Sequence, residues 1–227
     1  MNPALEEIPN RIVVNALGAL MQANTQAVFS DPGMEHRDQM CIVSAALAGE
    51  LFLKAIIARA HPLLIFRDLF QLDQPGSTEF DVEKLITSGK TYAFEHLPRL
   101  LWVATGERVP DLQLFNKVRS ARNAVQHFCP PHGINLRHLS LSFIYRIIDP
   151  LIRKHFGLFA IDYHEDSSVG YDHVVARLIR HELEFSIPED FRISEINLNL
   201  EIAETSPEYR SQFGRKLLRA AEKRLDR

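Results

Sequence analysis

The amino-acid sequence predicts an all-α protein, an antiparallel helical bundle followed by a C-terminal appendage. Apolar residues recur at three- and four-residue spacing through most of the first 156 residues, and proline- and glycine-containing breaks separate the segments with this pattern. Strand-like alternation is confined to the end of the chain. With 227 residues, 46% of them hydrophobic and 24% charged, the chain is long enough to bury a core. We expect a bundle over residues 1–156 and an appendage over residues 157–227.

Six helical segments make up the predicted bundle, and their approximate bounds are 9–29, 35–60, 81–86, 94–106, 111–128 and 136–156. The second segment is apolar on nearly every side, so other helices must surround it. Its charge-free run from Gln39 to Gly49 is much shorter than the roughly 20 residues that span a bilayer, which favours a core helix over a membrane span. Asp111 is expected to cap the fifth helix, and Pro150 to bend the sixth.

One charged pair lies inside the most apolar helix. Glu50 precedes Lys54 by four residues, the favourable order for an ion pair on one helix face. In a buried setting such a pair fixes packing register more than it adds stability. We therefore expect a structural role for both residues.

The predicted appendage changes character along its length. Residues 173–183 have a helical pattern, and Ser206 followed by Pro207 is typical of a helix start. Alternation of apolar and polar residues predicts strand-like segments and a small β-hairpin between these helices. The apolar positions of the two segments are Leu183, Phe185 and Ile187, and then Ile196, Leu198, Leu200 and Ile202.

The net charge of -3 averages two unequal parts. Residues 207–227 contain seven Lys or Arg against three acids, a balance of +4, so the first 206 residues carry -7. This distribution excludes strong, sequence-blind coating of RNA. The chain has only two cysteines and begins without the pattern of a signal peptide, which predicts a reducing, cytoplasmic compartment and neither a structural disulfide nor a zinc ribbon.

The most informative segment is the end of the fifth predicted helix. Its apolar stripe consists of Leu114, Val118, Ala121, Val125 and Phe128. With Val118 at zero and about 100° per residue, Arg119, Asn123 and His127 lie on the face away from this stripe, while Arg122 borders the core. Arginine is a forked, permanently charged donor for phosphate oxygens, and histidine transfers protons near neutral pH. These side chains suit cleavage of a phosphodiester next to a ribose 2′-hydroxyl without a metal ion.

The same helix geometry restricts the site. Arg122 and His127 are about 140° apart on a straight helix, so one helix cannot easily direct both at the same phosphate. A site shared between two copies of the chain, or a helix that unwinds near His127, removes the difficulty.

At these residues the sequence resembles the HEPN domains (higher eukaryote and prokaryote nucleotide-binding). Their mark is an arginine, a polar residue and a histidine, as Arg-x4-6-His at the end of a bundle of four to five helices. The matching segment is Arg122-Asn123-Ala124-Val125-Gln126-His127. The helix with Glu50 and Lys54 is similar to the Glu-plus-Lys helix of many bacterial members. The resemblance covers residues 9–156.

The resemblance implies a homodimeric, metal-independent endoribonuclease without a cofactor, a toxin or an effector of defence against phage. Carried over to this chain, Arg122 binds the scissile phosphate, His127 transfers a proton and Asn123 orients them. Arg119 and Gln126 are additional candidate substrate contacts, and neither belongs to the family motif. RNA is then the substrate, and a regulatory or antitoxin protein is a candidate partner.

Other interpretations stay open. Some HEPN domains keep the fold for binding or dimerisation, so a non-catalytic module that acts with a partner protein is the alternative function. A helical structural protein without a nucleic-acid role is the third. The segment Ser88-Gly89-Lys90-Thr91 lacks the first glycine and the preceding strand of a phosphate-binding loop. Asp162, His164, Glu165 and Asp166 include metal-ligand types but are expected to form a solvated acidic loop.

Overall fold

The computed structural model describes residues 2–29, 35–69, 81–165 and 170–225. The protein is helical in these ranges, as the sequence predicts, and their one β-type pairing is an isolated bridge between Phe66 and Thr91. The α-helices are α1 (Pro3–Glu6), α2 (Ile8–Val28), α3 (Glu35–Ala60), α4 (Val82–Ser88), α5 (Leu97–Thr105), α6 (Leu112–His127), α7 (Leu136–Phe143), α8 (Asp149–Phe156), α9 (Asp172–Arg180), α10 (Leu198–Ala203) and α11 (Pro207–Leu225).

Helix α3 is the centre of the bundle. It packs along α2 and also contacts α5, α6 and α7. Among the described residues, α3 is the one helix long and apolar enough to cross a membrane, and 72% of its most apolar stretch is buried inside the protein. Neighbouring helices therefore cover most of the surface that a lipid-facing helix would expose.

The chain from Leu136 to Phe156 is a continuous helical path with a change of type in the middle. A π-helical turn, Ile144–Ile148, joins α7 to α8, and Pro150 follows in the first turn of α8. Proline has no N–H for the usual helical hydrogen bond, so an irregularity before it is expected. Pro150 thus coincides with an interruption of the regular helix, in the form of a wider turn.

Short-range signals set the start of α6. The Oδ1 atom of Asp111 accepts a hydrogen bond of 2.9 Å from the Leu114 N–H, so Asp111 caps the helix as predicted. Upstream, Gly106 ends α5 with a φ of 73°, a left-handed conformation that glycine adopts at low cost. Gly106 and Asp111 therefore bound the short connection between α5 and α6.

Buried side chains connect the bundle to the residues after 156. The Nδ2 atom of Asn24 donates to the carbonyls of Ala160 and Tyr163 at 2.9 and 2.8 Å. The Tyr145 hydroxyl donates to Oδ1 of the same asparagine at 3.0 Å. Apolar residues of α9 and α11 continue the buried core. The division after residue 156 stays a prediction, and these contacts cross it.

The predicted β-hairpin is wrong. Ile196 precedes α10, and Leu198, Leu200 and Ile202 belong to that helix, which Asn197 caps through a 3.3 Å hydrogen bond from the Leu200 N–H. Leu198 and Ile202 are four residues apart and half-buried, so the same alternation fits one side of a short helix.

The segment with Leu183, Phe185 and Ile187 has no strand partner within the described ranges. Side chains, and not a neighbouring strand, form hydrogen bonds with its backbone N–H and C=O groups. The Ser186 N–H donates to Oδ2 of Asp149 at 2.6 Å, and the Leu183 carbonyl accepts from the Tyr209 hydroxyl at 2.9 Å. This pairing satisfies the groups that a β-ladder would have used.

Candidate functional site

Close packing of α3 against α7 determines where Glu50 lies. A Cβ atom added to Gly49 would lie 2.5 Å from the ring of Phe143, which is fully buried. The absence of a side chain at residue 49 therefore allows the α3 backbone to approach this ring. Glu50, the next residue, lies on the part of α3 that reaches α6.

Glu50 and Lys54 form the expected ion pair, with 2.7 Å between Oε1 and Nζ. Their side chains are 17% and 10% exposed. The Lys54 ammonium also donates to the Thr91 hydroxyl at 3.0 Å, and so connects α3 to the connection before α5. The second partner keeps a desolvated ammonium hydrogen-bonded.

Arg122 extends this pair to α6. Its Nη2 atom lies 3.8 Å from Oε2 of Glu50, and its Nη1 atom donates to Oδ1 of Asn123 at 3.0 Å. The side chain is 26% exposed, in agreement with a position at the border of the core. One carboxylate therefore faces two cations, which leaves an excess charge of +1 in the cluster. A guanidinium offers five N–H donors, so these two contacts leave donors for an anion.

Arg119 differs from its predicted setting. The helical wheel directs it away from the core, but its side chain is 32% exposed and pairs with Glu95, with 2.6 Å between Nη1 and Oε2. The Nε atom is buried and has no hydrogen-bond partner. Glu95 belongs to a 3-10 turn, Phe94–His96, beside α6. A free phosphate contact at Arg119 would require this pair to open.

The end of α6 is exposed. Asn123, Gln126 and His127 all face solvent, and His127 is the last residue of the helix. Phe128, directly after it, is 91% exposed, an unusual setting for a large apolar side chain. The structure thus brings Arg122, Asn123 and Glu50 together, and leaves His127 and Gln126 on the open surface nearby.

Two partners in this cluster, Glu95 of Arg119 and Thr91 of Lys54, come from distant parts of the chain. Glu95 and Thr91 lie 24 and 37 residues from the side chains that they bind. No local pattern marks either residue. The one sequence pattern that includes Thr91 is the incomplete phosphate-binding motif Ser88-Gly89-Lys90-Thr91.

Among the described residues, the buried Cys41 and the acidic segment from Asp162 lack the features of a nucleophile and of a metal site. Burial raises the pKa of the Cys41 thiol to about 12, which disfavours the thiolate nucleophile. Within the described ranges, no three His, Cys, Asp or Glu side chains lie close enough together to hold a metal ion. Of the acidic segment, Asp162 and Glu165 are exposed and His164 is buried, while Asp166 lies outside the described residues.

No protein-family model, curated protein or solved structure matches this chain.

Proposed function

We propose that this chain is a cytoplasmic endoribonuclease of the HEPN type, which cleaves RNA without a metal ion or cofactor at a site shared by two copies. The observation that carries the proposal is the setting of Arg122. Glu50 and Asn123 orient its guanidinium at the surface, five residues before the exposed His127. A preoriented cation and an accessible imidazole are the minimum set for this reaction.

The proposed reaction is a transfer at phosphorus. One His127 imidazole removes the proton of the ribose 2′-hydroxyl, and the 2′-oxygen attacks phosphorus. The bond from phosphorus to the 5′-oxygen breaks, and this oxygen receives a proton. The products are a 2′,3′-cyclic phosphate and a 5′-hydroxyl end. Arg122 stabilises the negative charge that develops on the phosphoryl oxygens.

A second copy supplies what one helix lacks. The proton balance needs a base at the 2′-oxygen and an acid at the 5′-oxygen, and each chain offers one His127. Two copies therefore provide an imidazole base and an imidazolium acid at one phosphate.

The exposed Phe128 supports the association of two copies. It lies next to His127, so a symmetric contact through Phe128 brings both histidines to the same interface. In this arrangement Asn123 orients Arg122, and Gln126 contacts the RNA strand. Arg119 contacts the strand only after it leaves Glu95.

The alternative is a non-catalytic module that binds a partner protein, and one observation favours it. Arg122 and Arg119 are both engaged with carboxylates of the chain itself. Such pairs are typical of structural ion-pair networks as well as of catalytic sites. A toxin or phage-defence role, and control by an antitoxin protein, belong to the first proposal and depend on catalysis.

Cleavage of labelled RNA in EDTA separates the two functions. We expect wild-type protein to produce 2′,3′-cyclic phosphate ends, and His127→Ala to lower the rate by about 10² to 10⁴. Arg122→Ala should also lose cleavage, whereas His132→Ala, an exposed histidine five residues further on, should keep it. Equal cleavage by wild type and His127→Ala, or no cleavage of any RNA tested, would refute the nuclease proposal.

A further inference from the structure

A pocket of about 380 Å³ lies beside the end of α6, and α9 of the C-terminal region forms part of it. Its lining includes Pro130 and Ile134 from the loop after His127, Arg137 from α7, and Arg177 and His181 from α9 and its C-terminal cap. The volume is at the lower end of the roughly 300 to 1,000 Å³ that ligand sites occupy. The pocket thus lies between the loop that follows His127 and α9, a helix to which no role has been assigned.

The two arginines of this pocket differ in their partners. Arg137 pairs with Asp38, which also lines the pocket. Arg177 has no carboxylate partner among the described residues, and its Nε atom is buried without a hydrogen bond. A buried donor without an acceptor is destabilising, because it has lost its hydrogen bonds to water. An anion that enters the pocket can supply the missing acceptor.

The charged and titratable groups that line the pocket are Asp38, Arg137, Arg177 and His181. Burial, reinforced by the charge of Arg177 and by His138, lowers the pKa of His181. An imidazole in such surroundings is neutral at neutral pH and can still donate a hydrogen bond. Two guanidinium groups against one carboxylate leave an excess of positive charge for a ligand.

Distance relates this pocket to the proposed cleavage site. Pro130 is the third residue after His127, so their Cα atoms are at most about 11 Å apart. The edge of the pocket at Pro130 is therefore close enough to His127 for one RNA strand to reach both.

We propose that this pocket binds a phosphate of the RNA strand next to the scissile one, through Arg177. The inference rests on the proposed nuclease function and assigns a task to α9. Arginine suits it because its fork matches phosphate oxygens. Arg137 keeps its contact with Asp38 and adds charge, while Ile134 at the pocket edge is 48% exposed and borders the strand.

The salt dependence of RNA binding tests the pocket. The full chain with His127→Ala binds a labelled single-stranded RNA without cutting it. Adding Arg177→Gln removes one phosphate contact, so the slope of log K against log salt should become shallower by about 0.7. Arg177→Lys should keep most of that slope. Arg210→Gln removes an exposed charge from α11 and should leave it unchanged.

A second variant tests the pocket in case Arg177→Gln does not fold. Ile134→Glu places a carboxylate at the pocket edge and should weaken RNA binding, whereas Val103→Glu, at a 66% exposed position of α5, should not. Light scattering must give the same oligomeric state for both variants as for wild type.

Three outcomes overturn the inference. Slopes that agree for folded Arg177→Gln and Arg210→Gln refute the pocket and leave the nuclease proposal intact. Inorganic phosphate that binds at Arg177 without competing with RNA assigns the pocket to a free anion instead of the strand. The absence of RNA binding by every variant refutes the pocket and the nuclease proposal together.

Discussion

The Oε2 atom of Glu50 lies 3.8 Å from Nη2 of Arg122, while the Oε1 atom of the same carboxylate lies 2.7 Å from the Lys54 ammonium. The central helix therefore places a single acid between two cations of different helices. Removal of this acid leaves two poorly solvated positive charges next to each other, and a buried charge without its partner is strongly unfavourable.

Glu50→Gln should lower the free energy of unfolding by about 1 to 3 kcal/mol. This loss is smaller than that for breaking a fully buried ion pair, because the Glu50 side chain is 17% exposed. Urea denaturation measures the change. The matched control is Glu95→Gln, which breaks the more exposed pair with Arg119 and should cost less than about 1 kcal/mol. Equal effects of the two substitutions would contradict a special role for Glu50.

Gly49→Ala tests the close approach that positions Glu50. The new methyl group would meet the buried Phe143 ring at 2.5 Å, and overpacking of this kind costs about 1 to 3 kcal/mol. The gain in helix propensity, about 1 kcal/mol, offsets part of this cost. Gly18→Ala in α2 has open space around the new Cβ and should stabilise the protein. Thermal unfolding of both variants should give shifts of opposite sign.

Local signals in the sequence predicted most of the bundle. Apolar periodicity and caps such as Asp111 act within one or two turns, so they located the long helices to within a few residues. The strand prediction at Leu198 and Leu200 is wrong because a short run of alternating residues also contains apolar positions four residues apart, the spacing of one face of a helix. A strand needs a neighbouring strand to bind its backbone groups. In the segment that contains Leu183 and Phe185, the Asp149 carboxylate accepts the hydrogen bond of the Ser186 N–H instead.

The candidate site could be predicted only in part. The spacing of Arg122, Asn123 and His127 is visible in the sequence, and so is the pair of Glu50 and Lys54. That Glu50 also faces Arg122, 72 residues later, depends on how α3 and α6 pack. The position of Arg177 in the pocket beside the loop after His127 also depends on helix packing, since no sequence pattern relates α9 to α6.

Asn24→Ala tests the connection between the bundle and the C-terminal region. The substitution removes three hydrogen bonds and takes this partner from the buried Tyr145 hydroxyl and from the Tyr163 carbonyl, while the Ala160 carbonyl keeps its bond from the Tyr163 N–H at 3.3 Å. We expect a loss of about 3 kcal/mol or more in urea denaturation. Thr25→Ala, which removes one exposed hydrogen bond from the Glu165 N–H, should cost less than about 1 kcal/mol. A loss as small as that of the control would argue against a shared core.

The pH dependence of stability should reflect Asp162. Desolvation, together with the carboxylates of Asp190 and Asp149, raises the pKa of Asp162 from 3.8 to about 6. Between about pH 6 and pH 4 the folded protein then binds this proton more tightly than the unfolded chain does. The contribution of Asp162 to stability therefore rises as the pH falls through this window, and is lost above it.

Asp162→Asn should stabilise the protein at neutral pH and weaken its gain in stability on acidification. Solvent screening limits the gain to about 1 kcal/mol, because Asp162 is exposed. Urea midpoints on both sides of the window measure the effect. Glu7→Gln removes an exposed charge elsewhere and should leave the pH profile unchanged. A profile for Asp162→Asn that superimposes on wild type would contradict the assignment.

Phe128→Glu tests whether two copies meet at the end of α6. Burial of a phenylalanine side chain is worth about 1.5 to 3 kcal/mol, and a two-fold contact contains it twice. The substitution should therefore raise the dimer dissociation constant by about 100-fold or more, and RNA cleavage should fall with the dimer. Leu218→Glu, at a 65% exposed position of α11, should change neither. A wild-type protein that is monomeric in light scattering at micromolar concentration, and still cleaves RNA, would rule out the shared site, because each catalytic centre would then contain only one His127.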